Sequence, residues 1–138
     1  MPTEETISIS IVICTYNGAE RIEKVLSCFK NQVNVEQIEW EIIVVDNNSA
    51  DNTSEIVNNM SSKFNVSVQV VRELQQGLIY ARIKGYQASK YNIISYVDDD
   101  NYVANDWIFN VYQTMNENCD VGASGGYNSL YSDYMNFI

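Results

Sequence analysis

The chain has 138 residues, 46% of them hydrophobic, which supplies core for one globular domain and excludes a disordered chain. Its 18 acidic against 8 basic residues give a net charge of −10, which argues against a nucleic-acid-binding face. With no histidine, and three cysteines (Cys14, Cys28, Cys119) that lack CxxC spacing, neither a zinc site nor a histidine triad is a workable reading, and a reduced, cytoplasmic setting is expected.

Residues 1–6 are polar and acidic and read as a flexible start without the features of a signal peptide; residues 7–138 read as one domain. No apolar run approaches transmembrane length, so no membrane span is expected. Ile7 to Cys14 is a β-branched run suited to a strand buried on both faces. Ala19 to Gln32 places Ile22, Val25, Leu26 and Phe29 on one helical stripe. Trp40 to Val45 is a second strand. Thr53 to Phe64 repeats the helical spacing at Ile56, Val57, Met60 and Phe64, with Ser49 and Asp51 as candidate caps. Val66 to Val71 is a third strand. Leu78 to Lys90 is a helix whose small residues Ala81, Gly85 and Ala88 allow close approach to a sheet. Ile93 to Val97 is the fourth strand, Trp107 to Met115 a fourth helix, and Asp120 to Tyr127 a candidate fifth strand. This alternation predicts an α/β fold, a mainly parallel sheet with helices on both faces and ligands at the carboxyl ends of its strands.

Those ends are polar: Thr15-Tyr16-Asn17, Asp46-Asn47-Asn48-Ser49, and Asp98-Asp99-Asp100-Asn101. On an extended backbone Asp98 and Asp100 share a face, about 7 Å apart, where they repel by about 2 kcal/mol at an effective dielectric of 20. A hard divalent cation, Mg2+ or Mn2+, relieves that repulsion; a solvated acidic turn is the plainer alternative. The tyrosine ring suits a nucleobase, the following helix start suits a phosphate, and Asp46 suits a base N–H or a ribose hydroxyl. Gln76-Gly77 marks a turn near the same edge, with Arg82 facing either the acidic cluster or a diphosphate. Each cluster alone also reads as an ordinary turn, and their coincidence at one sheet edge is what describes a site. The P-loop and G-x-G-x-x-G patterns are absent.

Ile9 with Tyr16-Asn17, Ile43-Val44-Val45-Asp46 with Ser49, Asp51 and Thr53, Gly77 with Ala81-Arg82, and Val97-Asp98-Asp99-Asp100 together resemble the family 2 glycosyltransferases. The resemblance runs from about Ser8 to Gly126. It implies a Rossmann-like GT-A fold and a metal-dependent, inverting transfer of a sugar from a nucleotide-diphosphate sugar to an acceptor hydroxyl. It implies Thr15, Tyr16 and Asp46 at the nucleobase, Glu20 at base or ribose, Asp98 at ribose or metal, Asp100 on the Mn2+ or Mg2+ that bridges the phosphates, and Arg82 supporting the diphosphate. Ile83 and Asn101 depart from the family pattern without removing a metal ligand.

The resemblance also implies an acceptor-binding half and a catalytic base beyond residue 138, so the chain reads as cut before that half. Asp106, Asp120 and Asp133 read as surface groups. The acceptor, whether glycan, lipid or protein, is left open, and a place at the inner face of a membrane would come only through the missing part or through partners. A nucleotidyltransferase and a non-catalytic Mg2+-binding α/β module are the alternatives. The first expects a glycine-rich, basic loop after the first strand, and the second expects a late lysine.

Overall fold

Four strands and four helices alternate along the computed structural model, which describes residues 6–126. They are β1 (Ser8–Thr15), α1 (Ile22–Lys30), β2 (Glu39–Asp46), α2 (Thr53–Ser61), β3 (Val68–Arg72), α3 (Leu78–Ala88), β4 (Ile93–Asp98) and α4 (Trp107–Glu117). All strand pairs are parallel, in the order β3-β2-β1-β4. Central β1 and β2 are buried almost throughout, in keeping with Ile11-Val12-Ile13 and Ile42-Ile43-Val44-Val45 at their centres.

Right-handed crossovers fix which face each helix covers. The chain steps from β1 to β2 to β3 in one direction, so α1 and α2 share a face. It then returns past β1 to reach β4, which puts α3 on the opposite face. The core divides accordingly. Ile9, Ile11, Ile13, Ile42 and Val44 pack with the predicted α1 stripe (Ile22, Val25, Leu26, Phe29) and with Ile108 of α4. On the other face Val12, Ile43 and Val45 pack with Ala81 of α3. The small side of α3 works as expected: a Cβ added at Gly85 would lie 2.2 Å from Val12 Cγ1, so the helix lies directly on the sheet.

Three expectations need correction. Helix α1 begins at Ile22 and not at Ala19, because the residues before it are engaged in loop contacts described below. Helix α3 ends at Ala88, where Ser89 turns extended. Over residues 120–126 there is no strand, and Tyr127 lies outside the described residues. That segment is exposed and carries Gly122, Gly125 and Gly126, which weaken strand formation and offer little apolar surface to bury. Of the flexible start, Thr6 is described; its carbonyl accepts a hydrogen bond from Asn92.

Candidate functional site

The strand order reverses between β1 and β4, so the carboxyl ends of these two strands flank a crevice. Register places Thr15 beside Asp46 and Cys14 beside Asp98, bringing the three polar clusters of the sequence to one edge. A cleft of about 280 Å³ opens there. Cys14, Thr15 and Tyr16 come from β1 and its turn, Asn47 from the turn after β2, Leu78 and Ala81 from α3, and Arg21 and Asp99 complete the lining. Tyr16 lines this cleft and is 51% exposed.

Strand geometry stops at Asp98, and the chain turns there, with Asn101 N–H donating to the Asp98 carbonyl at 3.1 Å. The face alternation expected for the acidic triplet therefore does not carry through. Asp99 turns into the cleft, where its Oδ2 accepts from Thr15 Oγ1 at 2.7 Å and from Arg21 Nη2 at 2.8 Å. The Asp99 hydrogen bond holds the Arg21 guanidinium above its ordinary pKa, with further support from Asp100 and Asp51. Asp98 and Asp100 are both exposed, and Asp98 lies 4.0 Å from Arg82. Arg82 thus faces the acidic cluster and does not line the cleft. Glu20 is exposed and likewise lies outside the lining.

Behind the cleft, the turn after β1 is stitched to the turn after β2. The N–H groups of Asn17, Gly18 and Ala19 donate to Ser49 Oγ at 2.9 Å, Thr53 Oγ1 at 3.0 Å and Asp51 Oδ2 at 3.1 Å. Asn17 returns a bond from Ala50 N–H to its Oδ1 at 2.8 Å, held there by a left-handed φ of 47°. The N–H groups of Asn17, Gly18 and Ala19, in the loop before α1, are thus engaged within the protein, and Ile22 N–H goes to the Gly18 carbonyl. Ser49 serves this stitching, and Asn52 is the N-cap of α2 but makes no side-chain cap bond. Asp51 also accepts from the N–H of Thr53, the first residue of that helix, at 3.1 Å, as expected of a capping side chain.

Asp46 is buried, accepting from Ser49 N–H at 2.9 Å and from Ser54 Oγ. Burial opposes its ionisation, but the Ser49 and Ser54 donors outweigh that and hold the carboxyl below the usual carboxylate range. Its neighbour Asn47 faces the cleft instead, donating to the carbonyls of Glu73 and Gln75 and accepting from Gly77 N–H. Asn47 so shapes the predicted turn before α3, where Gly77 takes a φ of 138° that side chains disfavour.

Arg21, Asn47 and Asp99 were not among the sequence candidates. Arg21 and Asn47 each sit one position past a candidate, Glu20 and Asp46, and Asp99 is the middle of the triplet. Asp98 and Asp100, two positions apart and both exposed, carry the hard oxygen donors that Mg2+ or Mn2+ takes. Among the described residues no trio of metal-ligating side chains is preassembled.

The family description "Glycosyl transferase family 2" matches residues 10–133. The chain belongs to glycosyl transferase family 2. The glycosyltransferase AglE of Haloferax volcanii is 32% identical over 100 residues, covering 72% of this family 2 chain and 33% of AglE. The chain thus spans a third of that relative's length. Staphylococcus aureus TarS 1-349, solved with UDP, superposes with a TM-score of 0.74 at 22% identity, covering 92% of this chain and 40% of that one. The mannosyltransferase PcManGT of Pyrobaculum calidifontis, solved with GDP-Man and Mn2+, superposes at 0.62 with 24% identity over 67% of this chain and 27% of that one. These likenesses establish the Rossmann-like GT-A arrangement of this family 2 chain. No helix among its described residues is long and apolar enough to cross a membrane.

Proposed function

We propose that this family 2 chain forms the donor-binding part of a glycosyltransferase that moves a sugar, with inversion, from a nucleotide-diphosphate sugar to an acceptor hydroxyl. The observation that carries the reading is the cleft at the β1/β4 reversal, with a half-exposed tyrosine on one side and an acidic turn on the other. Solved structures of this fold that hold UDP, or GDP-Man with Mn2+, support it.

In this reading Tyr16 stacks on the base and Thr15 serves the nucleoside end, while buried Asp46 braces the turn after β2 from behind the cleft and Glu20 stays outside its lining. Asp98 and Asp100 would hold Mn2+ or Mg2+, which when bound neutralises charge on the departing nucleoside diphosphate. Arg82, beside Asp98, steadies the turn that presents these carboxylates. Transfer also needs a base to take the acceptor's proton. The carboxylate that lines the cleft, Asp99, is held by Thr15 and Arg21, while Asp106 and Asp120 are exposed outside the lining. Asp133 lies outside the described residues. We therefore place the base outside the described part, and residues 1–138 bind donor while transferring poorly. Sugar transfer by this chain alone at rates ordinary for an enzyme would refute that assignment.

The test is thermal unfolding with UDP, GDP and dTDP, each with and without Mn2+ or Mg2+. Ligand at 100 times its Kd stabilises by about 2.7 kcal/mol, a shift of several degrees for a domain of this size. One nucleotide together with metal should give the shift, and Asp100→Ala should remove its metal-dependent part while leaving the unliganded melt in place. If no nucleotide stabilises the wild type, the donor-site reading fails. If the metal dependence survives Asp100→Ala, the metal ligand is elsewhere.

A further inference from the structure

The cleft belongs to a strongly acidic protein and has a carboxylate, Asp99, in its wall, yet its proposed ligand carries two phosphates. Most of the polar groups facing it are already engaged. The Asn47 amide makes three hydrogen bonds to the turn before α3. The Thr15 hydroxyl gives its proton to Asp99. Arg21 differs, because a guanidinium has five N–H donors in a planar fork. Its bonds to Asp99 at 2.8 Å and to the Tyr16 carbonyl at 3.4 Å both leave through Nη2. The donors on Nε and Nη1 stand apart from those bonds, on a side chain that remains 41% exposed.

Among the described residues Arg21 is also the cation that lines the cleft, Arg82 lying outside it. Asp99 holds the guanidinium in place, and Thr15 in turn anchors Asp99, so the fork needs little reordering to receive a ligand. Asp100, a proposed cation ligand, lies within electrostatic reach of the same guanidinium.

We propose that Arg21 is a donor-binding residue whose free guanidinium edge binds phosphate oxygens of the nucleoside diphosphate, with Asp99 as its positioning residue. This rests on the donor-site reading above and adds to it the residue that offsets phosphate charge from the protein side. Arginine suits the role through its fixed fork and permanent charge.

The experiment compares a nucleoside diphosphate with its nucleoside, UDP with uridine or GDP with guanosine, whichever pair the wild type binds. Dissociation constants are measured in the presence of Mn2+ for the wild type, Arg21→Ala and Arg21→Lys. Arg21→Ala should weaken the diphosphate by about tenfold or more and the nucleoside by less than about twofold. Arg21→Lys should recover part of the diphosphate affinity, since it keeps the charge and loses the fork. Arg21→Gln replaces Arg21→Ala if the smaller side chain impairs folding. Equal weakening of both ligands would mark Arg21 as merely structural and overturn the proposal, as would an unchanged diphosphate affinity. A wild type that binds neither ligand overturns the donor-site reading itself, an outcome distinct from wild-type binding that Arg21→Ala leaves intact.

Discussion

Gly18 is the point where one methyl group should disconnect the acidic turn from β1. A Cβ built there lies 2.0 Å from Thr15 Oγ1 and 3.0 Å from Asp99 Oδ2, against a normal contact of about 3.5 Å or more. The backbone cannot back away easily. Gly18 N–H donates to Thr53 Oγ1, and the Gly18 carbonyl accepts from both Arg21 and Ile22 N–H at 2.9 Å. In Gly18→Ala the Thr15 hydroxyl must swing off Asp99, losing a hydrogen bond to a charged group that contributes about 1.5–3 kcal/mol. A stiffer unfolded chain returns about 0.4–1 kcal/mol, leaving a net loss of about 1–2 kcal/mol. Urea denaturation of the wild type, Gly18→Ala, Thr15→Ala and the double variant measures this. Thr15→Ala removes the 2.0 Å clash and the bond and leaves the tighter-than-usual approach to Asp99, so adding Gly18→Ala to it should cost less than Gly18→Ala does in the wild type. Additive losses, with no coupling between the sites, would refute the reasoning.

Two further outcomes follow from the chemistry of buried groups. Because the Asp46 carboxyl is held below its ordinary 3.8, its contribution to stability is complete above that value and is lost as pH falls through the lowered native pKa. The stability advantage of the wild type over Asp46→Asn should be constant from neutral pH to about pH 5 and shrink below about pH 4, measured by denaturation across pH; a gap that stays constant down to pH 2 would contradict the hydrogen-bonded carboxylate. Burial pushes the Cys14 thiol up to about 11, whereas Cys119 is exposed. A thiol-directed reagent at pH 8 should therefore label Cys119 well before Cys14, as followed by mass spectrometry of digested protein. Equal labelling rates would show that Cys14 is not shielded.

The architecture was legible because its signals are local. Runs rich in β-branched residues marked β1 and β2, and the i, i+3, i+4, i+7 stripe marked the buried side of α1. The site was legible as a place, since polar residues following apolar runs must gather at one sheet edge. Its wiring was not. Asp99 meets Thr15 across 84 positions and Arg21 across 78, and no periodicity encodes which of three adjacent carboxylates turns inward. The same holds for Asn17, Ser49, Asp51 and Thr53, whose types suggest caps and turns but whose partners lie in another loop. Asp46 looked ligand-facing from its position after a strand, while the serines that enclose it could be recognised only in three dimensions.

Central β1 has one neighbour early in the chain and the other late. It pairs with β2 about 30 residues on, but with β4 more than 80 residues on. Closing the longer loop costs more entropy and comes slowly in folding. The β1–β2–β3 pairs draw on a shorter stretch of chain than the crevice does, which needs β4 for its second wall. Only when β4 docks does Asp99 reach Thr15 and Arg21. A nucleotide bound there, as proposed, would touch both walls of the crevice and so act as a clasp holding β4 against β1.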